Sequence, residues 1–499
     1  MKKRALISVY DKTGIVELAS SLIKKGYEII STGGTSKALK DAGVSVIEVA
    51  EVTGFEEILS GRVKTLHPHI FGGILATEAQ LPEIEAKKIS PIDLVVVNLY
   101  PFEEASKKDF IMSDLVEYID IGGVSLLRAA AKNFERVSVL SCPCQYESFI
   151  KEENTFEYRQ NLAKEAFLIT SKYDSLIANS LSSKEGMPEN LNISLSKKSD
   201  LRYGENPHQK AALYKFGEEV DYEVLNGKEL SYNNIVDICS ALDIVSEFYD
   251  VNATAVIKHN NPCGVAIGAD IYDSYLKAFD CDPISAFGGI IAFTQKVNLQ
   301  IAKHASSIFL EVLVAPDFDA DALEVLKQKK NLRLIKLNTK LNDYKKLKDI
   351  DIKALPFGVL VQDADVKELD KDTFKVVTKK KPTQEQVEDM IFAWKVAKYA
   401  KSNAIVVAKD KKTLGIGIGQ TSRIGSMEIA LGLACEDLKD AVIASDGFFP
   451  AVDNIHAAAQ NRIGAIIQPG GSIKDKDVID ACDKLEVAML TTSIRHFRH

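Results

Sequence analysis

The chain has 499 residues, too many for one ordinary core, so two or more domains are expected. Hydrophobic residues at 46% and charged residues at 26% give a globular balance and exclude a disordered chain. A net charge of -8 offers no broad attraction for nucleic acid, and no uncharged apolar run approaches the roughly 18 residues of a membrane span.

The opening MKKRALISVYDKTG sets basic residues before an apolar stretch of about five residues, shorter than the roughly 7–15 of an export-signal core. It is read as a first strand, Ala5–Val9. A helix over Ile15–Lys24, a strand over Tyr27–Ser31, a helix over Thr35–Ala42 and a strand over Val44–Val49 follow. Leu94–Val97 and Val137–Leu140 are further strands, with a helix near Val124–Lys132 between them. This alternation predicts an α/β fold with a parallel sheet whose chemistry collects beyond the strands' carboxyl ends.

Two strand-to-helix turns sit there: SVYDKTG (Ser8–Gly14) and STGGT (Ser31–Thr35). Backbone N–H groups at such turns suit a phosphate, although Ser, Thr and Gly also serve as plain helix caps. SGRVKTLHPHIFGG then packs Arg62, Lys64, Thr65, His67 and His69 together, either as a shaped site or as an exposed basic loop. Tyr100 directly follows a strand, and Asp120 opens a helix that carries Lys132. These are candidate proton carriers, with a helix N-terminal acid as the plain reading of Asp120.

Together SVYDKTG, STGGT, GRVKTLHPH, NLYPF and IDIGGVSLLRAAAKN resemble the inosine-monophosphate cyclohydrolase half of a bifunctional purine-biosynthesis family. The resemblance implies a methylglyoxal-synthase-like domain, drawn at residues 1–190, that closes a formamido-imidazole-carboxamide ribonucleotide with loss of water. It implies phosphate contacts from Ser8, Lys12, Thr13, Gly14, Thr32, Gly33, Gly34 and Thr35, but not from Tyr10. Arg62, Lys64, Thr65, Tyr100, Asp120 and Lys132 would surround the reacting groups.

Asn179–Asp200 is polar and reads as a connection, and a second α/β region is drawn at 198–499 with a break near 364–386. LRYGENPHQ, KELSYNNIVD and IKHNNPCG gather polar residues, the last placing Lys258 and His259 where a strand must turn at Pro262 and Gly264. DPISAFGG, GIGIGQTSR and SDGFFPAVDN suit a flat heteroaromatic ligand or ordinary core edges. The lysine runs Lys379–Lys381 and Lys409–Lys412 read as solvated turns.

These strings are similar to the other half of the same family, aminoimidazole-carboxamide ribonucleotide (AICAR) formyltransferase, with two related cytidine-deaminase-like subdomains. The resemblance makes Lys258 and His259 the catalytic pair, with Asn403 nearby. Arg202, Tyr203, Asn234, Gly288 and Arg495 fall on nucleotide-binding positions, and Phe287, Arg423, Phe448, Pro450, Asp453 and Ser472 on the folate side. It further implies 10-formyltetrahydrofolate as co-substrate, no metal, ATP or NAD, and a homodimer.

A zinc deaminase would need H-x-E and P-C-x-x-C, and neither occurs; position 266 is Ala. No G-x-x-x-x-G-K-[ST] or G-x-G-x-x-G is present. A nucleotide sensor without catalysis has no need of Lys64, Asp120, Lys132, Lys258 and His259, yet all five are here. Seven scattered cysteines, with Cys142-x-Cys144 the one close pair, fit a reduced cytoplasmic chain with idle thiols.

Overall fold

The computed structural model describes residues 2–108, 110–182 and 186–499. The chain divides into two compact units, Met1–Ser194 and Leu195–His499.

In the first unit five strands form one sheet in the order β3-β2-β1-β4-β5. They are β1 (Lys3–Val9), β2 (Tyr27–Ser31), β3 (Ile47–Glu48), β4 (Leu94–Asn98) and β5 (Ser138–Leu140), and every pairing is parallel. β1 and β4 lie inside the sheet, and Ala5, Leu6, Ile7 and Leu94 to Val97 are all buried. Such continuous apolar runs are what a sheet covered on both faces requires. The helices Ile15–Lys24 and Gly122–Lys132 bury Leu18, Leu22, Leu126 and Leu127 in the same core. The predicted strand Val44–Val49 survives only as the two residues of β3, because Val49 already begins a helix capped by Glu48 and Glu51.

The second unit has a twelve-stranded sheet in the order β16-β21-β20-β19-β17-β18-β10-β9-β11-β12-β13-β8. Its first half runs β8 (Tyr222–Asn226), β9 (Ala253–Lys258), β10 (Asn261–Ile267), β11 (Ile290–Phe293), β12 (Val312–Ala315) and β13 (Arg333–Leu337). Its second half runs β16 (Lys375–Val376), β17 (Ile405–Lys409), β18 (Lys412–Gly417), β19 (Val442–Ser445), β20 (Ala465–Gln468) and β21 (Ala488–Thr491). Each half holds an antiparallel hairpin, then three strands paired in parallel, then an antiparallel edge strand. The halves join where β10 meets β18 at Ala266 and Lys412, and Thr413 Oγ1 fastens both backbone groups of Val265. The helices Tyr232–Val245 and Gln384–Ala397 bury apolar residues in one core shared by both halves. Two pairs stand outside this sheet: β6 (Ser196–Leu201) with β7 (Ala211–Lys215), and the hairpin β14 (Ile350–Leu355) with β15 (Gly358–Asp363).

Three further sequence expectations change. The stretch 364–386 holds an edge strand as well as a connection, since β16 pairs with β21. The connection Asn179–Asp200 includes the end of the helix Phe156–Leu181 and most of β6, while its residues 183–185 lie outside the described ones. Cys142 and Cys144, expected as idle thiols, are joined in a disulfide; the Pro143 turn brings their Cα atoms to 5.3 Å, within bonding range.

Candidate active sites

A cavity of about 660 Å3 opens at the carboxyl ends of β1, β2 and β4. Ser8 and Lys12 reach it from the β1 turn, Thr32 to Thr35 from the β2 turn, and Tyr100 from beyond β4. Thr35 Oγ1 locks the two turns together, accepting from Val9 N at 3.1 Å and donating to Val9 O at 2.9 Å. Gly33 starts its helix at φ 56, where a side chain would be strained, and an added Cβ would stand 3.0 Å from Lys64 Nζ. One at Gly34 would stand 3.9 Å from Lys12 Nζ. Two ammonium groups therefore flank the free N–H groups of the helix Gly33–Asp41, a combination built for a phosphate.

Arg62, Thr65 and Asp120 line the same cavity. Arg62 is ion-paired with Glu117, and Lys64 Nζ lies 3.3 Å from Glu57. Asp120 Oδ1 accepts from Gly123 N at 2.7 Å, and its own N–H donates to Tyr173 Oη at 2.8 Å. Burial raises the Asp120 carboxyl above its ordinary pKa of 3.8 despite the Gly123 hydrogen bond. The plain reading of Asp120 as a helix-terminal acceptor therefore holds as well, since one oxygen binds Gly123 N.

Not every expected residue arrives. Thr13 spends its N–H and hydroxyl on Asp11, and Gly14, in the left-handed region at φ 69, makes the bend without facing the cavity. Lys132 is exposed at the far end of the helix Gly122–Lys132, about 15 Å from the end that lines the cavity. His67 caps the helix Pro68–Leu75 by accepting from His69 N, and His69 Nδ1 bonds Val52 O, so both histidines are structural. Asn98 was missed. Its Oδ1 accepts from Tyr10 N at 2.7 Å and Asp11 N at 2.9 Å, and its Nδ2 donates to Asp11 O at 2.8 Å. It clamps the β1 turn and lines the cavity, and an asparagine ending a buried apolar strand was the available signal.

In the second unit a cleft of about 280 Å3 is lined by Lys258 and His259. Lys258 ends β9, and the turn to β10 is made by His259 and Asn260 at φ 50 and 65. Asp237 holds that turn by accepting from Asn260 N at 2.6 Å, and burial raises its carboxyl above 3.8. Lys258 Nζ donates to Phe287 O at 3.1 Å and Gly288 O at 2.9 Å, bringing three expected residues together. Cys263 and Cys281 also line the cleft, but burial pushes their thiols up to about 12 and 11, away from any thiolate role.

The remaining candidates lie outside that cleft. Asn403, at φ 61, donates from Nδ2 to Gln420 O at 2.7 Å. Asn234 Nδ2 bonds Glu311 at 3.0 Å, and the Arg202 guanidinium stacks 4.8 Å from the Tyr203 ring centre. Arg423 is buried and bonds Asp446 and Ser445 Oγ. A Cβ on Gly447 would stand 2.6 Å from both Arg423 Nη2 and the Phe497 ring, so the C-terminal tail meets this pair. Arg495 stacks 4.4 Å from the Phe497 ring centre. Phe448 and Pro450 are exposed, Asp453 begins the helix Asp453–Gln460, and Ser472 Oγ accepts from Lys474 N. The first two glycines of GIGIG have a packing cause: a Cβ at Gly415 or Gly417 would overlap a carbonyl of the helix Arg423–Leu433.

Residues 130–432 match the family described as AICARFT/IMPCHase bienzyme, and residues 14–125 match the MGS-like domain. A protein of Caldicellulosiruptor saccharolyticus named bifunctional purine biosynthesis protein PurH is 50% identical over 520 residues, covering 100% of both chains. Proteins of the same name from Oceanobacillus iheyensis and a Thermoanaerobacter species are 48% and 50% identical, again over 100% of both chains. A solved structure titled "Crystal structure of ForH" has a TM-score of 0.33 and 36% sequence identity, covering 36% of this chain and 100% of its own.

Proposed function

Because the chain belongs to the AICARFT/IMPCHase bienzyme family, we propose that its two reactions are divided between the two cavities described. The enzyme carries out folate-dependent formyl transfer to AICAR, giving the formamido nucleotide FAICAR, and then cyclises FAICAR to inosine monophosphate (IMP). Cyclisation belongs in this reading to the MGS-like sheet of the first unit, and formyl transfer to the turn at Lys258 and His259.

The observation that carries the division is that each unit gathers its own set. Lys12 and Lys64 flank a helix N-terminus with Tyr100 and Asp120 in the same cavity, while Lys258 and His259 stand together on another. In cyclisation the carboxamide nitrogen attacks the formyl carbon. Lys64 and Tyr100 donate to the developing oxyanion, Asp120 takes the amide proton, and the oxygen leaves as water. In formyl transfer the substrate amine attacks the formyl group of 10-formyltetrahydrofolate. His259 takes the amine proton, and Lys258 stabilises the tetrahedral oxyanion while the protonated folate nitrogen departs. Neither step calls for ATP, NAD or a metal ion.

A cytoplasmic homodimer is part of the proposal. Phosphorylated substrates are held where they cannot cross a membrane, and among the described residues no helix is long and apolar enough to cross one. The hairpin of β14 and β15 exposes Phe357, Val359 and Leu360, and an isolated two-stranded hairpin is marginal in water, which favours its being covered by a second copy. Lys132 joins the cyclisation chemistry in this reading only by reaching a partner's cavity.

Purified protein given AICAR and 10-formyltetrahydrofolate, without metal or ATP, should produce IMP. Replacing Lys258 or His259 should stop that product yet leave cyclisation of preformed FAICAR intact. If a folded variant lost both activities together, the division of sites would fall.

A further inference from the structure

A second cleft in the Leu195–His499 unit, about 770 Å3, is not used by the reading above. The hairpin of β14 and β15, the end of the helix Gln384–Ala397 and the C-terminal residues enclose it. Its volume is that of a site for a small molecule of nucleotide size.

Among the described residues three of its four acids are matched by cations, while Asp351 accepts only from Gln362 Nε2 at 3.0 Å. Glu247, buried, bonds Lys345 at 2.8 Å, lies 3.5 Å from Lys398 and accepts from Tyr399 Oη at 2.8 Å. Asp243, buried, accepts from Tyr344 Oη and pairs with Lys348, and Arg498 Nη1 stands 3.5 Å away. Asp365 pairs with His496.

Two cations are left over. Among the described residues neither Lys353 nor Lys401 has a carboxylate within ion-pair distance, and both line the cleft beside Arg498. Burial first, and then the nearby Arg498 and Lys353 charges, hold the Lys401 ammonium below its ordinary pKa. Arg498 also has spare donors, since its contacts with Tyr399 O and Ser240 Oγ are long, at 3.3 and 3.4 Å. Three converging cations in a half-enclosed space lose their mutual repulsion when a multivalent oxyanion enters.

The cleft also shares a wall with the formyl-transfer site. His259 and Asn261 line one side of the β9–β10 turn, and Asn260 lines the other. Lys401 N donates to Asn261 Oδ1 at 3.2 Å, and Asn260 Oδ1 accepts from Ser240 Oγ, which Arg498 also contacts. Two consecutive left-handed residues, at φ 50 and 65, make this turn sensitive to what supports it.

We infer that this cleft binds a phosphate-bearing anion between Lys353, Lys401 and Arg498, and that its occupancy alters formyl transfer through the shared turn. The probe is inorganic phosphate, titrated calorimetrically into the whole chain with both nucleotide sites filled by saturating AICAR and IMP. One further equivalent per chain should bind. K353M/K401M should weaken it by about tenfold or more, as expected for losing charge-assisted hydrogen bonds. Added phosphate should change KM or kcat for formyl transfer and leave cyclisation unchanged. A parallel titration with cytidine monophosphate separates the sources: tighter binding than phosphate assigns an ester, equal or weaker binding the free ion. If the double variant folds poorly, K353M alone serves, because among the described residues the Lys353 side chain makes no ion pair that the fold would lose. No additional equivalent, or one that both variants retain, overturns the site. Bound phosphate that leaves formyl transfer unchanged overturns the coupling.

Discussion

Asp237 and Asp389 stand at the same step of two equivalent helices, Tyr232–Val245 and Gln384–Ala397, and each ties down a left-handed hairpin turn. Asp237 accepts from Asn260 N, while Asp389 accepts from Asp410 N at 2.9 Å and Lys411 N at 2.7 Å. Gly264 and Gly415 are likewise each the fourth residue of their strands, and each makes room for a helix carbonyl. The duplication thus preserves its supporting parts while the turns themselves differ, Lys258-His259 in one half and Lys409-Asp410 in the other. D237A and D389A should each lower stability by about 1–3 kcal/mol, the cost of a buried N–H left without an acceptor. Only D237A should also reduce formyl transfer, by about 100-fold, because it displaces the reacting turn. Urea unfolding and a formyl-transfer assay separate the two effects; equal activity losses would show that the turns are not functionally distinct.

The Asp237 carboxyl gives a pH signature with a definite sign. Burial raises its folded pKa above 3.8, so the folded state holds the proton more tightly than the unfolded one. This group's contribution to stability is present below pH 3.8 and is lost as pH rises through the higher folded value. D237N keeps an acceptor for Asn260 N without the charge. Its unfolding midpoint should fall less than that of wild type as pH rises across this window, and a steeper fall would contradict the assignment.

Asn98 should behave as a positioning residue for cyclisation. N98A removes three hydrogen bonds from the turn that carries Lys12, and N98D keeps the acceptors but loses the donor to Asp11 O. Both should raise KM for FAICAR, by about tenfold, with a smaller change in kcat. Formyl transfer by the same preparations is the internal control and should not move. A fall in kcat alone would place Asn98 in the chemical step instead.

Much of this was legible in the residues, because parallel strands declare themselves as apolar runs and their chemistry lies where glycine and hydroxyl residues follow. Ser8, Lys12 and Thr32 to Thr35 were readable for that reason, as was Lys258 beside His259. Contacts across long separations were not readable. The sequence marks Arg423 as a ligand-binding arginine but gives no sign of its ion pair with Asp446, 23 residues further on. Asn98 looks like a strand end until its partners 87 and 88 residues away are known. The duplication was expected only from the family resemblance, because it preserves two aspartates and two glycines at fixed steps rather than a continuous string of sequence.

Asp120 should set the acid limb of cyclisation. If it accepts the amide proton, the reaction needs the carboxylate, and rate is lost as pH falls through a pKa lying above 3.8. D120N should lower kcat by about 100-fold or more and remove that limb from the pH profile. A D120N enzyme with reduced rate but an unchanged acid limb would assign the limb to another group and leave Asp120 as the acceptor for Gly123 N.

Lys132 supplies the sharpest test of whether two copies share a site. It is exposed at the end of its helix, about 15 Å along the axis from the end that lines its own chain's cavity. K132A and D120A should each lack cyclisation as separate homodimers. If a partner supplies Lys132, a mixed dimer has one cavity with both mutations and one with neither. Mixing the variants after reversible dissociation should then restore up to about one quarter of wild-type cyclisation, since half the dimers are mixed and each regains one site of two. No recovery in a mixture shown to have exchanged subunits would remove Lys132 from the partner's site.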